Sequence, residues 1–307
     1  MGRSDTEGNI TAIYENKNGS FVNTNQNFTR LYDGDLSWVD LNKDGYLDLV
    51  VSGYYQKPQT KVYLSTSNGQ TFETTDDYGL PALFNTKMSW GDLDNDGDFD
   101  LAITGIDEND EYVSAIYYRK DGEDLFVKEN DWSIGALTDG YIEIADLDGD
   151  SDNDIIYSGA DQNGNTKHGI IWNTFINKNN NNSWPGADWR LKNSSIALFA
   201  DGNNVGFVSI GRNSNNDLKT AYYNSYGPQG VSLENGDVSV ADFNNDGYND
   251  FLFTGEDSNN SPVTKLYTGN PNIYQANNLT PNDSYNLSDF EFTGLRESTA
   301  DFVDYDM

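Results

Sequence analysis

Residues 92–107 read DLDNDGDFDLAITGID, and the acidic half of that stretch decides the fold. Asp92, Asp94, Asp96, Asp98 and Asp100 fall at alternate positions, with Gly97 at the sixth place. Carboxylates so spaced around a tight turn repel one another unless a cation sits between them. Ca²⁺ suits such a loop, because it takes six to eight oxygen ligands at about 2.3–2.6 Å and tolerates irregular geometry. Glycine is expected at the sixth place because the chain must bend there with positive φ.

The motif recurs three times. The copy at 40–48 offers Asp40, Asn42, Asp44, Tyr46 and Asp48, with Gly45 sixth. The copy at 146–154 offers Asp146, Asp148, Asp150, Asp152 and Asp154, with Ser151 where glycine is expected. The copy at 242–250 offers Asp242, Asn244, Asp246, Tyr248 and Asp250, with Gly247 sixth. Positions 1, 3, 5 and 9 supply side-chain oxygens, and position 7 supplies a backbone carbonyl, so Tyr46 and Tyr248 are compatible with ligation there. An EF-hand loop begins in the same way but needs a bidentate Glu at position 12 and flanking helices. Position 12 here is Val51, Ile103, Tyr157 or Phe253, and the flanks are strand-like. The alternative to four calcium loops is four acidic hairpin turns without metal.

Composition narrows the rest. The 307 residues carry 50 acidic against 18 basic side chains, a net charge of −32, so four Ca²⁺ ions would leave the surface strongly acidic. Nucleic acid and anionic membranes both require basic patches and are not expected partners. The absence of cysteine excludes disulfides, thiol catalysis and Cys-ligated zinc. No apolar run approaches the 18 residues or so of a membrane-spanning helix. Residues 1–10 (MGRSDTEGNI) lack the apolar segment of a signal peptide.

A second signature repeats with the first: Thr11-Ala-Ile-Tyr14, Thr60-Lys-Val-Tyr63, Ser114-Ala-Ile-Tyr117, His168-Gly-Ile-Ile-Trp172, Thr220-Ala-Tyr-Tyr223 and Thr264-Lys-Leu-Tyr267. The final aromatics are 49, 54, 55, 51 and 44 residues apart. Each period reads as four short strands. One leads into the acidic loop and an apolar one leaves it (LVVSG at 49–53, LAITG at 101–105). The T-x-[IV]-Y strand follows. A fourth comes after turns such as Asn18-Gly19 and Asn68-Gly69 and carries Phe21 or Phe72. Four-stranded units of this length, repeated about six times, are the sequence form of a β-propeller, in which stacked blades make the core. The fold expected is all-β: one propeller domain over 1–307, with units starting near 36, 88, 142, 196, 238 and 299.

Two regions depart from the pattern. The unit at Asp201 is shortened and lacks the later carboxylates, so no metal is expected there. Residues 177–190 (NKNNNNSWPGADWR) form an Asn-rich stretch with Trp184 and Trp189, expected as an exposed loop that either folds over a blade or meets a ligand. Residues 303–307 (VDYDM) align with 39–43, which places the end of the sequence inside a further acidic loop and implies a longer parent chain, of six blades, seven or more.

Four copies of D-x-[DN]-x-D-[GS]-x-x-D, each followed by an apolar strand ending in Ser-Gly or Thr-Gly or its like, resemble the FG-GAP/VCBS repeats of integrin α-chains and bacterial secreted proteins. The literal Phe-Gly…Gly-Ala-Pro signature is absent, so the likeness is to the bacterial VCBS-type form. The resemblance implies loops between the first and second strands of blades, on one propeller face, holding Ca²⁺ through the twenty residues named above. It further implies an extracellular, secreted or surface-displayed binding or adhesion module for a glycan or protein, with other domains in the parent chain. The alternatives are the propeller of a secreted polysaccharide lyase or hydrolase, and a purely structural repeat. The single histidine, His168, leaves little material for His-based acid–base chemistry, and no catalytic residues or organic cofactor are expected.

Overall fold

The computed structural model describes residues 1–4, 8–17, 20–66, 71–75, 78–120, 125–130, 134–147, 150–173, 191–201, 204–213, 215–223, 228, 231–242, 246–269 and 285–287. Strands carry all of the regular structure, and no helix occurs among these residues.

The chain opens with two hairpins, β1 (Gly2–Ser4) with β2 (Gly8–Ile10) and β3 (Tyr14–Lys17) with β4 (Ser20–Asn23). Then come five sheets in sequence. The first is β5 (Tyr32–Val39), β6 (Asp48–Tyr55), β7 (Lys57–Thr66) and β8 (Thr71–Thr75). The second is β9 (Phe84–Gly91), β10 (Asp100–Ile106), β11 (Tyr112–Arg119) and β12 (Phe126–Lys128). The third is β13 (Thr138–Ala145), β14 (Asp154–Ala160) and β15 (Thr166–Ile171), and the fourth β16 (Lys192–Asp201), β17 (Asn204–Arg212) and β18 (Leu218–Tyr223). The fifth is β19 (Val238–Ala241), β20 (Asp250–Glu256), β21 (Pro262–Gly269) and β22 (Tyr285–Leu287). All pairings are antiparallel between sequential strands.

The first strands β5, β9, β13, β16 and β19 stand next to one another and line a common cavity of about 770 Å³. That is the radial arrangement of a β-propeller. The second strands are covered on both faces: β14 is buried along its whole length, and β6 and β10 over their first six residues. The core lies between blades. One apolar cluster joins Val39, Val50 and Val62 to Leu83, Leu101 and Ile103 of the next blade. Others join Ala102 to Ile155, Ile156 to Phe207, and Val208 to Phe251.

Polar side chains stitch the same seams, which explains why both signatures repeat. The hydroxyl of the T-x-[IV]-Y strand reaches the segment entering the next blade. Thr11 Oγ1 accepts from Leu31 N at 3.3 Å, Thr60 Oγ1 donates to Pro81 O at 2.6 Å, and Ser114 Oγ accepts from Leu137 N at 3.1 Å. The Ser of Ser-Gly does the same, with Ser52 Oγ donating to Leu83 O at 3.1 Å and Ser158 Oγ to Leu191 O at 2.8 Å. The glycine that follows is required by close backbone approach. A Cβ on Gly53 would meet Tyr32 O at 2.8 Å, and one on Gly255 would meet Glu234 O at 2.6 Å.

Two expectations are corrected. Thr11, Ala12 and Ile13 lie outside any strand, which splits the third strand of that blade into β2 and β3. First strands begin at 32, 84, 138 and 192, about four residues ahead of the expected unit starts. Their early residues sit across a bulge from the second strand, as at Tyr32/Asp35, where the apolar alternation that betrays a strand breaks down. The segment 177–190, the turns at 18–19 and 68–69, and the unit near 299 lie outside the described residues.

Candidate metal centres

Each acidic loop joins the first and second strands of a blade, as expected, and all share one internal bonding scheme. The carboxylate at position 1 bends back to cap the turn. Asp92 Oδ1 accepts from Asp96 N at 3.1 Å and Oδ2 from Gly97 N at 2.8 Å. Asp40 does so with Asp44 N and Gly45 N, Asp146 with Asp150 N and Ser151 N, and Asp242 with Asp246 N and Gly247 N. Position 5 then caps position 7: Asp44 to Tyr46, Asp96 to Asp98, Asp150 to Asp152 and Asp246 to Tyr248, all at 2.8–3.0 Å. The sixth residue has positive φ in every loop, +88° at Gly45, +84° at Gly97, +74° at Ser151 and +86° at Gly247. Serine therefore accepts the glycine conformation in the third loop at some strain.

Position 9 differs from the rest. Asp48, Asp100 and Asp250 are fully buried and Asp154 nearly so. Asp100 Oδ2 accepts from Leu93 N at 2.8 Å, and Oδ1 from Arg119 N at 2.9 Å on the third strand. Asp48 binds Leu41 N and Ser65 N, and Asp154 binds Leu147 N and Asn173 N, in the same manner. The residue fastens the base of the loop to its sheet. Asp92, Asp94 and Asp100 each bring one carboxylate oxygen within 4.8 Å of the others, a spacing and donor set that fit a hard divalent cation. Asn42 and Asp44 are joined by a hydrogen bond of 3.1 Å in the first loop. Asp148 and Asn244 lie outside the described residues.

Neighbouring loops are tied together. Asn95 Nδ2 donates to Asp152 at 2.6 Å, Asn153 Nδ2 to Asp92 O at 2.9 Å, and Asn173 Nδ2 to Leu93 O at 2.6 Å. Lys43 pairs with Asp98, and Arg119 reaches Leu41 O. In the fourth blade β16 and β17 are paired up to Asp201↔Asn204, so a two-residue connection replaces the acidic loop.

The sequence reading missed a second repeat at the opposite end of the blades, between second and third strands. Asp107 Oδ1 accepts from Asn109 N and Glu111 N at 2.8 and 2.9 Å. Asp161, Asn213 and Asp257 form the same turn. The signal was a [DN]-x-N motif at 107, 161, 213 and 257. These are Asx turns, which need no ligand. Their hydrogen bonds, led by Glu111 N for Asp107, the Asn165 side chain for Asp161 and Ser261 N for Asp257, hold all three carboxyls below the ordinary 3.8.

The buried carboxyls shift the other way. Burial pushes Asp100 up to about 7 despite its two N–H donors, with Asp94 and Asp96 adding repulsion. Burial also raises Asp48 and Asp35. A raised carboxyl costs stability only when ionised, so the cost is absent below about pH 4 and complete above about pH 7. The lowered trio contributes stability that is lost only below about pH 4. In chelator, the melting temperature should therefore fall as pH is raised from 5 to 8. A flat or rising profile by differential scanning calorimetry would contradict the assignment of these burials.

Residues 40–103, spanning the first two acidic loops, match the FG-GAP-like repeat family. No curated protein matches the chain in sequence. Among solved structures, a triple arginine-to-alanine mutant of AofleA from Arthrobotrys oligospora is similar, with 12% identity and a TM-score of 0.54, over 88% of this chain and 77% of that one. That likeness shows the fold alone. An exo-β-1,3-galactanase from Phanerochaete chrysosporium crystallised with β-1,3-galactotriose (11% identity, TM-score 0.44, 91% of this chain, 71% of that one) is more distant. So is a thermostable family-43 glycoside hydrolase (12%, 0.42, 86% and 94%).

Proposed function

We propose that this FG-GAP-like repeat chain is a single calcium-stabilised, extracellular β-propeller domain of a longer protein, serving as a rigid binding module for a glycan or surface protein. One observation carries the calcium reading. Three carboxylate oxygens of Asp92, Asp94 and Asp100 converge within 4.8 Å, on a loop whose backbone geometry recurs in three other blades. Carboxylates brought that close need a counter-charge, and the buried Asp100 needs it most. The ligands would be the residues at positions 1, 3, 5, 7 and 9 of each loop, with Tyr46 and Tyr248 acting through their carbonyls. A cation so held would lock first to second strand in four blades and leave the propeller faces free to bind. No helix among the described residues is long and apolar enough to cross a membrane.

Isothermal titration of the metal-stripped chain should find about four calcium ions bound, one per acidic loop. A glycan-array and surface-protein survey should then yield a ligand whose binding disappears in chelator. Assay of the same glycans for new reducing ends or unsaturated products separates binding from cleavage. A chain that takes up no calcium, or binds nothing in either survey, overturns the corresponding half of the proposal.

A further inference from the structure

The axial cavity is polar in a way that interblade packing does not require. Where the second strand ends in Ser-Gly or its equivalent, the cross-strand partners on the first strands are Asp35 (opposite Ser52), Lys87 (opposite Thr104), Tyr141 (opposite Ser158) and Ser195 (opposite Ile210). Asp237 holds the same level in the fifth blade, exchanging backbone hydrogen bonds with Thr254. One register position thus carries an acid, an ammonium, a phenol, a hydroxyl and a second acid around one axis. Two residues further on, still facing the axis because strand side chains alternate, stand Ser37, Ser89, Glu143, Ala197 and Ser239. The apolar residues of the same strands occupy the intervening positions and pack between blades, as Met88, Ile142, Ile196 and Val238 do.

Part of this ring has a structural task. Asp35 Oδ2 accepts from Met88 N at 3.0 Å, Ser89 Oγ from Ile144 N at 2.9 Å, and the Ser195 hydroxyl bonds Asp237, so first strands of adjacent blades are tied. Lys87 is different. Its ammonium makes no ion pair within 4 Å among the described residues, although Asp35, Glu143 and Asp237 face it from three other blades. Burial works against its charge, but Asp237, Asp35 and Glu143 hold it above its ordinary value, so it stays an ammonium. Three carboxylates in the ring, in a chain of net charge −32, reject an anion. The Lys87 ammonium already stands among them as their counter-charge, and burial holds the Asp35 carboxyl toward its neutral form, so the ring does not call for a second cation. A neutral molecule that both donates and accepts hydrogen bonds can pair with Lys87 and add to the bonds that Glu143 accepts from the Tyr141 hydroxyl, at 2.8 Å, and Asp237 from Ser195.

We infer that the axial cavity binds a neutral, hydroxyl-rich ligand of the sugar class, with Lys87 donating to one hydroxyl and Glu143 and Asp237 accepting from others. A cavity of about 770 Å³ accommodates one sugar ring or the end of a glycan chain. The inference rests on the binding-module reading and names its ligand and site.

The test titrates the full calcium-loaded chain calorimetrically with glucose, galactose, mannose, fucose and xylose and with reduced trisaccharides of each. Glucuronate and glucosamine serve as the charged counterparts. At least one neutral sugar should bind, and its charged counterparts at least tenfold more weakly. Binding of the free sugar alone identifies a soluble ligand, and equal or tighter trisaccharide binding identifies a glycan end. Lys87→Met should weaken binding tenfold or more, and Ser37→Trp, which fills the cavity, should abolish it at an unchanged melting temperature. The comparison with charged sugars needs neither variant to fold. Tighter binding of a charged sugar overturns the inference, as does sugar binding that survives Ser37→Trp; the latter leaves the binding-module reading standing. Silence from every sugar also overturns it, whereas that reading fails only if the wider glycan and protein surveys are silent too.

Discussion

Removing calcium should lower the melting temperature by roughly 20 °C or more. A bound ion contributes about 2.7 kcal/mol at a hundredfold excess over Kd when the unfolded chain does not bind it, so four loops amount to roughly 10 kcal/mol. A domain of a few hundred residues shifts by about 2–4 °C per kcal/mol. The metal-free state also carries its own penalty, since two carboxylates 4 Å apart repel by about 4 kcal/mol at an effective dielectric near 20. The ties between loops should make the loss cooperative. Asp152 of the third loop accepts from Asn95 of the second, and Asn153 holds Asp92 O, so a loop that opens pulls on its neighbour. Magnesium should restore little, because it demands near-octahedral geometry at about 2.0–2.1 Å. Calorimetric scans with and without chelator at low ionic strength decide the matter, and superimposable scans refute a stabilising metal.

The acidic loops and the propeller were legible in sequence because their determinants are local. Alternate carboxylates, a glycine at the sixth place and an apolar strand after it all lie within about sixteen residues, and each copy folds into the same hydrogen-bond scheme. The shortened fourth unit was legible for the same reason, and the register Asp201↔Asn204 shows the tight connection that its missing carboxylates announced. The axial ring was not legible. Asp35, Lys87, Tyr141 and Asp237 belong to four different blades, 52, 54 and 96 residues from one to the next, and only radial stacking brings them to one level. Their one local trace is their place opposite the Ser-Gly or Thr-Gly pair, visible only once strand register is known. The bulges concealed the early halves of first strands, because an extra residue breaks the period-two alternation by which a strand is recognised. The Asx turns at 107, 161, 213 and 257 were readable in principle but were masked by the abundance of Asp and Asn throughout the chain.

Asp100→Ala should destabilise the protein by roughly 3–5 kcal/mol even in chelator, whereas Asp94→Asn should cost nothing there and forfeit only the calcium-dependent part. The distinction follows from position in the loop. Asp94 is exposed, and the bond it accepts from Asp96 N at 3.3 Å can be kept by an asparagine carbonyl. Asp100 is completely buried and satisfies Leu93 N and Arg119 N, one on each side of the loop base. Alanine leaves both donors without a partner, at about 1–3 kcal/mol each for a buried polar group, besides opening a small void. Asp100→Asn should fall between, since its amide offers one acceptor where the site needs two and turns a donor toward the other N–H. The same order is expected for Asp48 against Asn42 in the first loop. Urea unfolding of the chelated variants measures it directly. Equal midpoints for Asp100→Ala and Asp94→Asn would make position 9 an ordinary ligand and strip it of its part in joining the loop to the third strand. The gap expected between them says instead that the loop's base is built by the fold and its rim by the ion, which is why the carboxylate least accessible to solvent matters in both states.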